Sequence, residues 1–234
     1  MTIDTNPPSG TRDFLADDVA RRERAFTTVR HVFERHGFEP LDTPAFERLE
    51  VLLGKYGEEG DKLVFKILRR GEHEQAGEAD LALRYDLTVP LARVVAQHAD
   101  RIVEPYKRYH LAPVWRAERA QRGRYREFVQ CDVDVVGSSS PLADAEVIVT
   151  VVDALAALGL GDVEVRLNSR EALRGLIEAY DVPEGLEDAA LVALDKLDKV
   201  GPDGVAAELR DRGVPAAAVE AMTADLAEED AHER

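Results

Sequence analysis

The sequence predicts a mixed α/β fold of the α+β type, with an antiparallel sheet flanked by helices and a helical segment at its C-terminal end. Three observations predict it. Between residues 61 and 136, several stretches alternate apolar and polar side chains, as strands do. Stretches with helical spacing of apolar residues separate and flank them, and from residue 169 onward the pattern is helical.

The first half of the chain begins with an irregular, Pro- and Gly-containing lead-in and an amphipathic helix over 17–36. Residues 38–44 predict a short extended stretch whose two prolines favour a sheet edge or an interface. Residues 61–70 and 79–84 predict two antiparallel strands joined by a polar loop, and 87–99 returns to helical spacing. We therefore expect a helix, an edge segment, a hairpin and a second helix, in that order.

The middle of the chain predicts strands at 106–112, 114–116 and 125–136, with a basic loop before the last of them. A Ser-Ser-Ser-Pro cluster then caps a helix over 141–158, and 163–167 is a further strand candidate. We expect two long strands to flank the basic loop.

Residues from 169 onward predict helices broken by Pro and Gly, and the acidic tail over 216–234 is expected to fray. This change of pattern divides the chain into a core over 1–168 and a helical segment over 169–234.

Composition limits the classes of protein that the chain can be. With 234 residues, 45% of them hydrophobic, it can bury a sizeable core without disulfides, and its single cysteine cannot form an internal bridge. We find no secretory signal and no apolar run of the roughly 18–20 residues that span a bilayer, so a cytoplasmic location without membrane insertion is expected.

Charge is distributed unevenly along the chain. The net charge of −16 argues against a general nucleic-acid coat, because phosphate affinity comes mainly from Lys and Arg. Residues 107–126 nevertheless hold seven basic residues and one acid. Guanidinium groups can bind phosphate oxygens in bidentate geometry, and Gly123 lets the loop that carries them fold back. The arginines concerned are Arg116, Arg119, Arg122, Arg124 and Arg126. The loop is therefore either a phosphate site, such as one for a nucleotide, or an ordinary basic surface.

The strand after this loop has one polar face. Period two places Phe128, Gln130, Asp132 and Asp134 on that face. Cys131 belongs to the opposite face, which we expect to be core, and we do not expect it to act as a nucleophile. The acidic face predicts a polar ligand, although a solvated antiparallel face is the simpler alternative.

Residues 106–137, YKRYHLAPVWRAERAQRGRYREFVQCDVDVVG, resemble motif 2 of class II aminoacyl-tRNA synthetases and are close to the histidyl family of the eukaryote-like type. LALRYDLTVP at 81–90 resembles that family's amino-acid-binding stretch. Helix 17–36 with HGFEPLDTPAFE resembles motif 1, which in the family forms the dimer interface. The resemblance runs from PSGTRDF to about residue 180 and then into helices like the family's insertion.

The resemblance implies site residues for two substrates. For ATP, Arg116 is the catalytic contact to the α-phosphate, Glu118 meets the adenine amino group, Arg124 meets the β- and γ-phosphates, and Phe128 stacks on adenine, with Arg126 nearby.

For histidine, Asp86 and Thr88 hold the α-ammonium end, with Gln130 and Asp134 close by. Taken without the motif, Asp86 before a helix is a capping acid. Family members also use Mg²⁺, although the six histidines have no metal-ligand spacing and no protein metal site is predicted.

The implied activity is that of a histidine–tRNA ligase, with histidine, ATP and tRNA(His) as substrates and a homodimer as the assembly. In residues 137–234 we find no counterpart of the family's RGLDYY-like segment, motif 3 or anticodon-binding domain, and LRGLIEAY at 173–180 does not replace the first of these. The sheet is therefore expected to be incomplete, with an open edge. A truncated or split synthetase is the main interpretation, and tRNA binding without an anticodon domain is expected to be weak. The alternatives are a histidine-sensing regulatory subunit of the ATP phosphoribosyltransferase type and a dimerisation partner of a full synthetase.

Overall fold

The computed structural model describes residues 3–54, 63–71, 76–167 and 169–232. The chain divides into two compact units, Met1–Val163 and Glu164–Arg234. This division lies close to the predicted boundary after residue 168, and the assignment of the second unit to an insertion-like segment stays a prediction.

The first unit includes the elements α1 (Ala16–Arg35), β1 (Glu39–Pro40), β2 (Phe46–Arg48), β3 (Lys66–Leu68), β4 (Ala79–Leu83), α2 (Thr88–Gln97), β5 (Tyr106–Trp115), β6 (Glu127–Val136) and α3 (Pro141–Ala157), and residues 49–54 are also helical. Strands β1, β5 and β6 form one sheet in that order, and β2, β4 and β3 form another. The mixed α/β class and the predicted helices are confirmed. Of the predicted hairpin, residues 61–62 and 72–75 lie outside the described residues.

The sheet that carries β5 and β6 has one apolar face, against which α1 and α3 pack. Val32 and Phe33 of α1 are buried there with Tyr109 of β5 and Ala154 of α3. The Phe33 and Tyr109 rings lie 5.7 Å apart, and the Tyr109 hydroxyl donates to Glu34 Oε1 at 2.7 Å. This burial fixes the hairpin and leaves its other face for α2 and the polar side chains.

The capping cluster before α3 forms as predicted. The Ser140 hydroxyl accepts a hydrogen bond from the Leu142 amide at 3.3 Å, and Pro141 occupies the first turn, where its missing N–H costs nothing.

The predicted strand over 163–167 is wrong, because these residues have no regular structure. Val165 and Leu167 are 46% and 72% exposed. A strand needs a neighbour for its backbone hydrogen bonds, and within the described ranges none pairs with this segment. Local alternation therefore predicted a strand that the described fold does not pair.

The expectation that Cys131 is core is also wrong, because its side chain is exposed. It does lie on the strand face opposite Gln130, as period two predicts, but β6 is the edge strand of its sheet. The helices cover the end of that face that carries Val133 and Val135. Within the described residues, no strand pairs with the outer edge of β6.

The second unit consists of helices α4 (Arg170–Ala179), α5 (Glu187–Leu194), α6 (Leu197–Asp211) and α7 (Ala216–His232). Helix α6 is broken at Gly201, whose φ of 70° and ψ of 174° are not helical. Buried Ile177, Val205 and Leu209 belong to the core of this unit. It is a helical unit with its own core.

The predicted fraying of the acidic tail is wrong for residues 216–232, which are helical, and residues 233–234 lie outside the described residues. Helix α7 runs to His232, and its Ala218, Val219 and Met222 are buried in the core of the second unit. These apolar residues recur at helical spacing while Glu220 and Asp225 stay exposed, so acidic composition concealed an amphipathic helix. No helix in the described part of the chain is long and apolar enough to cross a membrane.

Candidate active site

The candidate site lies on the face of the β5–β6 hairpin that is turned away from α1. The antiparallel register sets Val114 opposite Phe128, Ala112 opposite Gln130, and Arg108 opposite Asp134. Phe128 packs with buried Leu87, which precedes α2, and with Ala112 and Val114. The polar residues of β6 therefore share one surface with an apolar patch, as the sequence predicts for a ligand site.

The basic loop between the strands is folded back on itself. The Gln121 and Arg124 backbones exchange hydrogen bonds of 3.1 and 2.9 Å, and Gly123 within this turn has a φ of 82°. Glycine adopts such a left-handed conformation without the steric cost that a side chain brings. The turn encloses a cavity of about 380 Å³ that is lined by Arg116, Glu118, Arg124 and Phe128 among others.

Arg116 is held between two aromatic rings beside this cavity. Its guanidinium carbon lies 4.5 Å from the Tyr85 ring centroid and 5.1 Å from that of Phe128. Its Nε donates to the Tyr85 carbonyl oxygen at 3.4 Å. The two rings limit the rotamers of the side chain, so that a positive charge is fixed at the junction of the cavity and the acidic face.

Glu118 is tied into the same cluster. It accepts a hydrogen bond from the Tyr85 hydroxyl at 3.2 Å, and its carboxylate lies 3.6 Å from Arg124 Nη1. Burial raises the pKa of the Tyr85 phenol, so the ring remains a donor at neutral pH. Sequence analysis missed Tyr85, although it directly precedes Asp86 in the LALRYDLTVP stretch.

Arg126 does not line the cavity with the other predicted ATP residues. Its Nε donates to the Glu118 carbonyl oxygen at 2.9 Å, and its amide donates to the Gly10 carbonyl oxygen at 2.7 Å. It therefore braces the loop.

The N-terminal lead-in joins this brace. The guanidinium carbon of Arg12 lies 3.5 Å from the Tyr125 ring centroid, so the lead-in holds the loop from two points. The sequence shows only an irregular segment there.

Four residues are predicted to bind the substrate histidine. Asp86 and Thr88 lie at the start of α2, and Gln130 and Asp134 lie on β6. Asp86 is 6% exposed, and its Oδ1 accepts a hydrogen bond from the Val89 amide at 3.0 Å. Thr88 is exposed in the first turn of α2. Asp86 thus performs the capping role that the sequence offered as an alternative, and capping fixes its position relative to β6.

Asp132 and Asp134 of β6 are only partly exposed. Burial raises the pKa of both Asp132 and Asp134, while the charge of Arg108 lowers it. Gln130 Nε2 donates to Asp132 Oδ1 at 3.4 Å, and Arg108 Nη2 lies 2.7 Å from Asp134 Oδ2. This surface is suited to an ammonium group or to other N–H donors.

Arg108 is the second site residue that sequence analysis missed. It is fully buried on β5, opposite Asp134. Period two along 106–114 puts it on the site face, but only the hairpin register identifies the acid that it meets.

A protein-held Mg²⁺ does not fit the residues around the cavity. Among the residues with described positions, no three or more His, Cys, Asp or Glu side chains cluster as metal ligands would. Glu118, an acid that lines the cavity, already contacts Tyr85 and Arg124.

A nucleotide-sized basic cavity beside an acidic strand face is the arrangement that the resemblance implies, and the comparison with protein families decides it. The family model for histidyl-tRNA synthetase matches residues 10–232. The chain belongs to the histidyl-tRNA synthetase family. The eukaryote-like subtype stays a prediction.

Individual histidyl-tRNA synthetase relatives agree with the family match. A histidine–tRNA ligase of Gloeobacter violaceus is 47% identical over 230 residues, which cover 91% of this chain and 49% of the relative. The crystal structure of histidyl-tRNA synthetase from Nostoc sp. PCC 7120 matches with a TM-score of 0.80 at 31% identity, over 94% of this chain and 48% of that one. The chain spans about half the length of these relatives.

A third structure bears on the regulatory alternative. An ATP phosphoribosyltransferase regulatory subunit/histidyl-tRNA synthetase from Bacillus halodurans C matches with a TM-score of 0.74, over 94% of this chain and 55% of that one. Its identity is 24%, so this likeness shows the fold alone.

Proposed function

We propose that the chain forms the ATP- and histidine-binding part of a histidyl-tRNA synthetase active site. In this reaction the carboxylate of histidine attacks the α-phosphorus of ATP, pyrophosphate leaves, and the histidyl group of the adenylate is then transferred to tRNA(His). The observation that carries the proposal is the position of Arg116, between the cavity that Phe128 lines and the Tyr85–Asp86 segment. The guanidinium of Arg116 therefore lies between the proposed ATP site and the proposed histidine site, where the two substrates must meet.

The ATP side of the proposal assigns one task to each residue. Phe128 stacks on adenine and Glu118 accepts from its amino group, while Arg124 binds the β- and γ-phosphates from its exposed position on the loop. Arg116 stabilises the negative charge that develops on the α-phosphate. Arg126 acts through the loop, which it braces.

The histidine side uses the acidic face. Asp86 and Thr88 bind the α-ammonium group, and Gln130 and Asp134 contact the remainder of the amino acid. The carboxylate of histidine is already ionised at neutral pH, so the first step needs no general base. Orientation and charge stabilisation then supply most of the rate enhancement. ATP is a substrate, and Mg²⁺ enters with it, bound to its phosphate oxygens.

Assembly and tRNA binding are part of the same proposal. Helix α1, which corresponds to motif 1, pairs with a second copy, and tRNA(His) binding by this chain is weak. Sedimentation velocity gives the oligomeric state, and a monomer at micromolar concentration contradicts the homodimer.

The test is histidine-dependent exchange between ATP and pyrophosphate by the purified chain, alone and mixed with the C-terminal half of the Gloeobacter violaceus relative. We expect exchange in at least the mixture. Histidine binding without exchange in either case supports a regulatory role instead, and the absence of calorimetric binding of both ATP and histidine rejects the proposal.

A further inference from the structure

Arg108 is the most deeply buried charged side chain of the site. It is 0% exposed, and its Nη2 lies 2.7 Å from Asp134 Oδ2 across the hairpin. The same nitrogen donates to the Leu87 carbonyl oxygen at 3.2 Å, one residue after Asp86. One guanidinium therefore joins β5, the acid of β6 and the segment that enters α2.

The hydrogen-bonding capacity of this guanidinium is incompletely used. Arg108 Nε and Nη1 are buried and have no hydrogen-bond acceptor among the described residues. Gln130 Oε1 and Asp134 Oδ2, on the same hairpin face, are likewise buried and accept no hydrogen bond in the described structure, so the 2.7 Å contact of Arg108 with Asp134 is an ion pair that leaves this oxygen open to a donor. A buried ion pair contributes little net stability unless its remaining donors are satisfied, so stability alone does not account for this arginine.

We propose, on the basis of the function given above, that Arg108 is a positioning residue for the recognition of histidine. It acts through Asp134, which it holds as an oriented carboxylate that accepts the N–H of the imidazole ring. Apolar amino acids of similar size, such as leucine and phenylalanine, have no N–H donor in their side chains and gain nothing from this carboxylate.

The charges around Asp134 make the role of Arg108 testable by pH. Asp134 is faced by Arg108 of β5 and by Asp86 before α2, and Asp132 lies two residues away on β6. Arg108 itself is faced by Asp134, Asp132, Asp86 and the Tyr106 hydroxyl. Burial, followed by the influence of Asp86, raises the pKa of Asp134, and Arg108 opposes both.

The sign of the effect follows from these contacts. Histidine binding that needs the Asp134 carboxylate is present above the pKa of Asp134 and is lost as the pH falls through it. Removal of Arg108 removes the cation that, among the described residues, lowers this pKa, so the loss of binding moves to higher pH. Protonation of free histidine is the same for every variant and cancels in the comparison.

The experiment measures histidine affinity by calorimetry between pH 5.5 and 9 for the wild-type chain and for Arg108→Met. We expect the variant to bind about tenfold more weakly or worse at pH 6.5 and to approach the wild type at pH 9. Arg108→Lys, which keeps the charge, restores part of the affinity at pH 6.5. Arg93→Met, which removes an arginine paired with Glu47 instead, is the matched control and keeps the wild-type profile.

The variant Asp134→Asn tests whether Arg108 acts through Asp134 or through the general stability of the site. This variant binds weakly and keeps only the pH dependence that comes from free histidine, and Arg108→Met added to it causes no further displacement with pH. An equal loss of affinity at every pH in Arg108→Met, or a displacement of the profile by Arg108→Met in the Asp134→Asn background, overturns the inference.

A measurement without ligand keeps this inference separate from the proposed function. The Asp134 carboxyl carbon is titrated by NMR in the ligand-free wild type and in Arg108→Met, with Arg108→Gln as the substitute if the methionine variant does not fold. An upward shift in the variant supports the inference, and an unchanged midpoint overturns it. Failure of the wild type to bind histidine rejects the proposed function, while the titration still decides whether Arg108 controls Asp134.

Discussion

At the scale of single residues, Arg116 is a charged side chain whose surroundings fix it without burying it in the core. Two rings and a carbonyl hold it, and these contacts contribute little to folding. We predict that Arg116→Ala lowers histidine-dependent ATP–pyrophosphate exchange at least a hundredfold, because charge stabilisation at the α-phosphate is lost. Circular dichroism melting should change by only a few degrees. The exposed Arg210→Ala is the control, and an Arg116→Ala variant with full activity refutes the assignment.

His110 gives a second prediction at this scale. Burial, with Arg84 and Arg108 nearby, lowers its pKa to about 4, below the ordinary value of 6.5. Its side chain is only 2% exposed, and its Nε2 lies 3.3 Å from Asp42 Oδ1.

Because the folded pKa is depressed, the unfolded chain takes up the proton first. The stability from neutral His110 is complete above pH 6.5 and is lost progressively as the pH falls towards 4. Urea unfolding at pH 7 and pH 5 should show a loss that is about 1–2 kcal/mol larger in the wild type than in His110→Gln. Equal losses in the two proteins contradict this prediction.

Single-residue patterns also mark the limit of what the sequence predicts about the site. Period two placed Gln130, Asp132 and Asp134 on one face, and the register confirms this. The contacts of Tyr85 with Arg116 and Glu118 and of Arg108 with Asp134 were not predicted. They join residues that are distant in sequence, and local periodicity carries no information about such pairing.

At the scale of elements, the N-terminal lead-in braces the loop between β5 and β6. Gly10 has a φ of 85°, and a Cβ on it would lie 2.7 Å from Arg126 Cγ. Gly10→Ala should therefore displace Arg126 and weaken ATP binding roughly threefold to tenfold. Calorimetry with ATP is the measurement. Gly159→Ala is the matched control, since Gly159 has the same φ of 85° with nothing within 4 Å. If the two variants bind ATP with equal affinity, the lead-in does not brace the loop.

The elements of the first unit were predictable where the pattern was long or where its partner lay nearby. Helix α1 and the β5–β6 hairpin have strong periodicity and a partner close in sequence. The segment 163–167 has the alternation of a strand but no neighbour within the described fold, and helix α7 was hidden by its acids. In the first case the lack of a partner strand in the described fold decided the structure, and in the second case the packing of the apolar face did.

At the scale of the whole molecule, the two units have separate cores. Leu209 is fully buried in the second core, whereas Phe33 belongs to the first. Leu209→Ala should destabilise the second unit by about 2–5 kcal/mol, because it leaves a cavity. Hydrogen exchange should show this loosening in residues 170–222 while histidine affinity stays within twofold of the wild type.

Leu167→Ala, at a position 72% exposed in the same unit, is the control and should change neither property. A Leu209→Ala variant that loosens α1 and β5 to the same extent contradicts the independence of the two cores.

The exposure of Cys131 on β6 has a practical consequence. It is the chain's one thiol, so a maleimide fluorophore attaches at a single place. Its neighbours Gln130 and Asp132 project from the opposite face of the same strand. A dye there lies on the back of the sheet, so a change in its emission on addition of histidine would test the proposed binding at the front without blocking that face.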